Sequence, residues 1–388
     1  MTPVTTLARI TDHDRRARLG PRHLLAHPAD TVEQVADAVV GLHATDAATV
    51  YLSACARLAD PSIKAVEDAF YERATLTRLL CMRRTMFAFT TGAAPVVDAA
   101  AARGIAAKER AGLLKYLAEG VGWDAARLAE VERLTLDALR DRGEATAAEL
   151  SAAVPALREQ VLVAPGKKYE TKQNVSSRVL RVLAADGRIR RSRPRGTWLS
   201  TQFRWTPADP RPALDVAAAQ AELVRRWLAA YGPGTEADVK WWTGWTLTAV
   251  RKALTAIGAE PVALDHGTGF VLPGDVDSPD SPPWVALLPS LDATAMGWQG
   301  RDFYLDPGHK PKLFDAYGNI GPTVWADGRI VGAWAQRPDG EIAWTTFADV
   351  GTETTAAITD HAHRLADLLG DTRFVPKFRT PLEKDLAR

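Results

Sequence analysis

Three stretches of the 388-residue chain share one grammar, a capped amphipathic helix and then a second helix, followed by a β-hairpin in the middle and third, and beyond residue 283 the composition turns toward strands. These two observations predict an α+β fold: three tandem winged-helix modules followed by a β-rich C-terminal region with a closing helix. The expected boundaries are residues 1–135, 136–207, 208–282 and 283–388.

In the first module Thr31 and Gln34 form a capping box, and Val32, Val35, Ala36, Val39 and Val40 follow on one helical face. A second helix spans about Ala47 to Leu58. The middle module repeats the device with Thr146 and Glu149, then a helix through Leu150 and Val154, then one carrying Val175, Val179, Val182 and Leu183 at i, i+4, i+7 and i+8. Gly187 ends that helix, and RIRRSRPRGTWLS reads as two short strands around a Pro-Arg-Gly turn. The third module starts at YGPGTEADVKWWTGW, where Thr235 and Asp238 cap a helix, and continues with Val250, Leu254 and Ile257 on one face of another. Its hairpin is EPVALDHGTGFVLPG, with Gly267-Thr268-Gly269 as the expected turn. The tryptophans 241, 242 and 245 at its first helix read as core.

After the Pro-, Asp- and Ser-rich GDVDSPDSPP, Thr323 to Trp325 and Ile330 to Trp334 flank Asp327-Gly328, and Pro338-Asp339-Gly340 precedes Glu341 to Phe347. Together they read as a β-meander. A closing helix runs from about Thr352 to Leu369, with Gly370 as its stop.

With 46% hydrophobic and 24% charged residues, the composition excludes collagen-like, disordered and disulfide-scaffold classes. The two cysteines, Cys55 and Cys81, read as buried packing residues and suit a reducing cytoplasm. No signal-peptide pattern opens the sequence, and no run of about 18 apolar residues offers a membrane span. We therefore expect a cytoplasmic protein without a membrane partner. The motifs GxxxxGK(S/T), HExxH, GxSxG and paired CxxC are absent, which argues against NTPase, zincin and serine hydrolase chemistry. Neither metal nor cofactor is expected.

Lysine and arginine number 48 against 47 acidic residues, so bulk charge selects no partner. Locally the balance is different. From Lys167 to Arg195 stand Lys167, Lys168, Lys172, Arg178, Arg181, Arg188, Arg190, Arg191, Arg193 and Arg195, against only Glu170 and Asp186. Such a basic helix and hairpin, interleaved with Ser176 and Ser177, suit DNA phosphates.

GLHATD, residues 41–46, sets polar His43, Thr45 and Asp46 between two apolar helices, and buried polar groups need partners or a task. Taken alone, His43 reads as a satisfied structural histidine and Asp46 as the cap of the next helix.

The wider sequence resembles the winged-helix DNA glycosylases of the AlkZ and YcaQ family. The matching stretches are VVGLHATDAATVYLSACARL (39–58), RLLCMRRTMFAF (78–89), YGPGTEADVKWWTG (231–244), ALLPSLDA (286–293) and GNIGPTVWADGRIVGAW (318–334). The resemblance implies a concave cleft that holds double-stranded DNA carrying bulky alkyl-purine adducts, excised by a monomeric, cofactor-free enzyme. It also implies self-resistance to a DNA-alkylating natural product as a physiological role. Family members usually carry Gln-x-Gln or Gln-x-Asp at the catalytic motif, where this chain has His43 and Thr45. The expected catalytic set is His43 as a neutral general base on water, Thr45 holding that water or the developing charge, and Asp46 or Asp292 orienting His43 or stabilising the oxocarbenium. No lysine occupies the motif, so a monofunctional enzyme is expected. Arg83 and Arg84 align with the family's Met-Arg-Gly-Thr stretch and suit either a phosphate contact or a salt bridge. The other expected DNA contacts are Lys167, Lys168, Arg178, Arg190, Arg191, Arg193 and Arg195.

Overall fold

The structure, a computed structural model, describes residues 7–163, 166–168 and 170–388. The first six residues of the N-terminus read above lie outside it. The first unit runs α1 (Asp12–Arg22), α2 (Val32–Ala38), β1 (Leu42–His43), α3 (Ala47–Cys55), α4 (Ile63–Tyr71), β2 (Leu76–Cys81) and β3 (Thr85–Thr90). Its antiparallel sheet has the order β1-β3-β2. The Thr31–Gln34 capping box forms as the spacing predicts.

After α5 (Ala94–Val97) come α6 (Arg103–Val121), α7 (Ala125–Arg142), α8 (Ala147–Ala153), β4 (Gln160–Val163), β5 (Thr171–Asn174), α9 (Ser176–Ala185), β6 (Ile189–Pro194) and β7 (Phe203–Pro207). Ala145 bridges Trp205, adding a one-residue strand ahead of α8. The third repeat is α10 (Val216–Tyr231), α11 (Glu236–Thr243), α12 (Leu247–Ala256), β8 (Glu260–Leu264) and β9 (Gly267–Val271), with Gly234 bridging Phe270. Each repeat therefore has helix, short strand or bridge, two helices, and an antiparallel hairpin.

The chain closes with β10 (Val285–Leu288), α13 (Lys310–Leu313), β11 (Thr323–Ala326), β12 (Arg329–Gln336), β13 (Ile342–Thr346), α14 (Thr352–Leu369) and α15 (Pro381–Leu386). The strands make one antiparallel sheet, β10-β11-β12-β13. α14 lies on it and stops at Gly370.

Three sequence expectations need correction. The middle hairpin does not return within Thr197–Ser200, because Trp198 is buried and its ring lies 4.9 Å from that of Tyr51 on α3. Anchored there, the chain turns between Arg195 and Gln202 and pairs again only at Phe203. In the third hairpin the turn is Asp265-His266, and Gly267-Thr268-Gly269 begins β9. Leu264 lies over Gly269 so closely that a Cβ would stand 2.8 Å from it.

The unit boundaries also shift. Leu113 and Leu117 of α6, with Leu128 and Val131 of α7, share a core with Leu150, Val179, Leu183 and Trp205. The middle unit thus takes in α6 and α7, well before residue 136. The first unit and the C-terminal sheet share a core in which Val35, Leu52 and Phe70 meet Val324, Trp334 and Ile358. Another joins Leu79, Phe87 and Phe89 to Trp227 and Trp242 of the third repeat and to Trp298 and Trp325.

A buried polar network pins these parts together. Arg57, just after α3, and Asp292, after β10, are both fully buried, with Nη2 to Oδ1 at 2.7 Å and Nη1 to Oδ2 at 2.9 Å. Asp292 also accepts from the Ser53 hydroxyl at 2.6 Å and the Thr294 N–H at 2.9 Å. Arg57 donates further to the His23 and Ser53 carbonyls and to the Thr294 hydroxyl. Burial acts to raise the Asp292 pKa, but the Arg57 charge and these hydrogen bonds outweigh it and hold the carboxyl below its ordinary value. Breaking one side of such a pair leaves a charge in the core. Asp292→Asn should therefore cost about 3–5 kcal/mol of stability, read from urea unfolding; a loss under about 1 kcal/mol would contradict this.

Candidate functional site

The GLHATD segment is built as a short edge strand. Gly41 has φ +93°, and a Cβ there would fall 2.3 Å from the Phe89 ring, so glycine alone permits the close turn into β1. His43 then pairs with Phe87, and their rings stand 5.0 Å apart. The Ala44 N–H donates to the Met86 carbonyl at 2.8 Å, and the Met86 N–H donates to the Thr45 hydroxyl at 3.3 Å. Thr45 is half-buried; His43 is only 3% exposed.

This environment revises the role expected of His43. Burial, and then the Arg83 charge nearby, lower its pKa from 6.5 to about 3. The ring is neutral at any physiological pH, but a base so weak is a poor proton acceptor. The Thr45 N–H donates to Nδ1 in a long contact of 3.5 Å, which assigns the proton to Nε2. His43 is thus built to donate a hydrogen bond.

Neither aspartate orients it. Asp46 caps α3, accepting from the Ala48 N–H at 3.1 Å, and its other oxygen accepts from the Lys377 N–H at 2.8 Å. Asp292 is committed to Arg57, with no hydrogen bond to His43. Both are structural groups bracketing the motif.

The basic residues divide in the same way. Arg84 pairs with Glu109 of α6, which also holds Arg181 at 3.1 Å, so it ties the β2–β3 turn to the middle unit. Arg193 pairs with Glu67 at 3.2 Å and Glu72 at 2.8 Å. Both side chains thus have carboxylate partners within the fold while remaining 67% and 43% exposed. Arg178 lies over the Tyr116 ring at 3.9 Å and Arg191 over Phe203 at 4.2 Å. Lys167, Lys168, Arg190 and Arg195 are exposed. Lys167 and Lys168 sit between β4 and β5, a hairpin that the sequence patterning did not reveal because all four residues of β5 are exposed. Arg78, Arg190 and Arg191 line a groove of about 270 Å3 between the first and middle units, beside Met86. Arg83, half-buried, lies over the Trp241 ring at 3.9 Å.

Sequence reasoning missed Arg57, Arg78, Trp241 and Arg301. For Arg57 there was a signal, an arginine closing an otherwise apolar run. Among the described residues no group of three or more His, Cys, Asp and Glu is placed to hold a metal. No described helix is long and apolar enough to cross a membrane.

This fold and motif belong to a class of DNA repair proteins: the family model "DNA glycosylase AlkZ-like" matches residues 36–368, and the chain belongs to that family. A solved structure, Streptomyces sahachiroi DNA glycosylase AlkZ, superposes with a TM-score of 0.71 at 21% identity, covering 94% of this chain and 98% of that one. An "Interstrand DNA cross-link repair glycosylase" of Streptomyces sahachiroi is 29% identical over 160 residues, which is 39% of this chain and 43% of that relative.

Buried histidines also set a pH dependence. His23, whose Nε2 is 3.1 Å from the Ala230 carbonyl and whose Nδ1 is 2.8 Å from the Thr294 hydroxyl, is lowered to about 3 by burial and then by Arg57. Between pH 6.5 and 3 the unfolded chain binds protons at His23 and His43 that the fold does not. Stability therefore falls as pH drops below about 6.5, by up to about 1.4 kcal/mol per pH unit for each histidine. The urea midpoint should be lower at pH 5.5 than at pH 7.5, and His43→Gln should reduce the difference; an unchanged difference would show that His43 does not titrate in this way.

Proposed function

We propose that this chain is a monofunctional DNA glycosylase that hydrolyses the N-glycosidic bond of bulky N7-alkylguanine or N3-alkyladenine adducts in duplex DNA, acting as a monomer without a cofactor. Family membership supports glycosylase chemistry, and the crosslink-repair relative adds interstrand crosslinks to the substrates to test. We read the three repeats as winged helices, in which α4, α9 and α12 take the place of the helix that precedes the wing. The groove lined by Arg78, Arg190 and Arg191 offers guanidinium groups to a duplex backbone. Self-resistance to an alkylating natural product is the physiological role that fits a bulky-adduct enzyme.

The observation that carries this reading is the buried, neutral His43 on the edge strand, with the Thr45 N–H at its Nδ1. An N7-alkylguanine is already a cation and leaves without being protonated. The enzyme has to stabilise an oxocarbenium-like transition state and place a water at C1′. A neutral His43 adds no opposing charge to that cation, and as a fixed hydrogen-bonding group it positions the water, whose proton is lost to solvent, so no strong base is needed. The amide usual in the family at this position is likewise a neutral hydrogen-bonding group.

A duplex with a defined N7-guanine adduct, treated with protein and then hot alkali, should show strand scission together with release of the free base. His43→Ala should slow release by about 100-fold, the scale of losing a positioning contact, with little change in DNA affinity. His43→Gln should keep most of the rate. Affinity for adducted DNA with no release from any adduct would favour a shielding protein or a winged-helix regulator.

A further inference from the structure

Trp241, in the last turn of α11, has two guanidinium groups against it. Arg83 Cζ lies 3.9 Å from the indole ring and Arg301 Cζ 4.9 Å from it, with Arg301 also 5.3 Å from the Phe314 ring. Among the described residues neither arginine meets a carboxylate. Asp302, next to Arg301 in sequence, pairs with Lys310 at 2.8 Å, and Glu109, the partner of Arg84, also holds Arg181. Arg83 Nε is buried without a hydrogen-bond partner, and Arg301 spends only Nε on a carbonyl, that of Ala295 at 3.3 Å, beyond a weak contact to Met296 sulfur.

The local backbone holds this arrangement at some cost. Arg83 and Arg84 are consecutive non-glycine residues at φ +55° and +60°, a region that side chains disfavour. Gly244, ending α11 at φ +75°, brings its backbone against Arg83, so that a Cβ there would sit 3.5 Å from the Arg83 nitrogen. Turn and helix end thus fix one guanidinium on the indole, and Arg301 approaches from the C-terminal region. The two cations repel: Arg301, after burial, is the main influence lowering the Arg83 pKa, to about 10. Two like charges kept together without an acid are a geometry suited to a shared anion, and a guanidinium fork matches a phosphate best.

We infer that Arg83 and Arg301, aligned on Trp241, form a binding site for one backbone phosphodiester of the DNA. The site adjoins the motif through packed rings: Trp242, next to Trp241 on α11, meets Phe87 edge-on at 6.3 Å, and Phe87 lies tilted 5.0 Å from His43. A phosphate held there would position the lesion nucleotide against His43, so Arg83 and Arg301 are positioning residues. This assignment rests on the DNA glycosylase reading above and adds Arg301 and Trp241 to it.

The test is the salt dependence of binding to a fluorescein-labelled, unmodified 20-base-pair duplex, read by anisotropy from 50 to 200 mM salt. Each phosphate contact contributes about 0.9 to the slope of log affinity against log salt. Arg301→Gln and Arg83→Gln should each reduce the slope by about 0.9, and the double variant by no more than about that, since both serve one phosphate. Arg301→Lys should keep the slope, and Arg225→Gln, which removes a charge paired with Glu222 on α10, should leave it unchanged. Slopes for Arg301→Gln equal to the unsubstituted protein, with excision of N7 adducts intact, would overturn the phosphate site and leave the glycosylase reading standing. The expected slopes without excision by any protein would do the reverse. Absence of duplex binding by the unsubstituted protein would overturn both.

Discussion

The Arg57–Asp292 ion pair is the constraint on which the placement of the candidate site depends. Two fully buried charges persist only because each is saturated with partners, and those partners come from distant parts of the chain: Ser53 on α3, Thr294 after the first strand of the C-terminal sheet, and His23 just after α1. His23 in turn reaches the Ala230 carbonyl of α10. One network therefore ties the first and third repeats to the C-terminal sheet and fixes α3. The other end of α3 is fixed by Asp46, which caps it and accepts from the Lys377 N–H. The polar motif lies immediately ahead of a helix that is anchored at both ends.

That anchoring explains how a histidine can serve where the family usually has glutamine. A solvated histidine near its ordinary pKa would change charge across physiological pH, and beside the Arg83 guanidinium the charged form would be repelled. Burial against Phe87 removes the charged form and leaves a neutral ring with a defined tautomer. Under the proposed chemistry the first motif position is a hydrogen-bonding group in both cases, and a cationic leaving group would need no strong acid.

Much of the architecture was legible because it follows from local rules. The capping boxes at Thr31, Thr146 and Thr235, the strands around Asp327-Gly328, and the stop at Gly370 are all set by residues close in sequence. The middle hairpin was misread because Trp198 is held by Tyr51, a contact across about 150 residues that no local pattern encodes. The same reason separates what was legible of the candidate site from what was not. GLHATD is one contiguous segment and could be singled out, whereas the roles of Asp292, Arg193 and Arg84 depend on Arg57, Glu67 with Glu72, and Glu109, which only folding brings to them. Trp241 read as core from its place on a helix, and its half-exposed face on Arg83 became visible only once the β2–β3 turn met the end of α11.

The most direct test of this account is the single-turnover rate of N7-adduct excision measured from pH 5.5 to 8. A neutral, hydrogen-bond-donating His43 with a pKa near 3 predicts a flat profile across that range, shared by His43→Gln. A rate that rises with pH through an inflection near 6.5, and loses that inflection in His43→Gln, would show a titrating general base and contradict it.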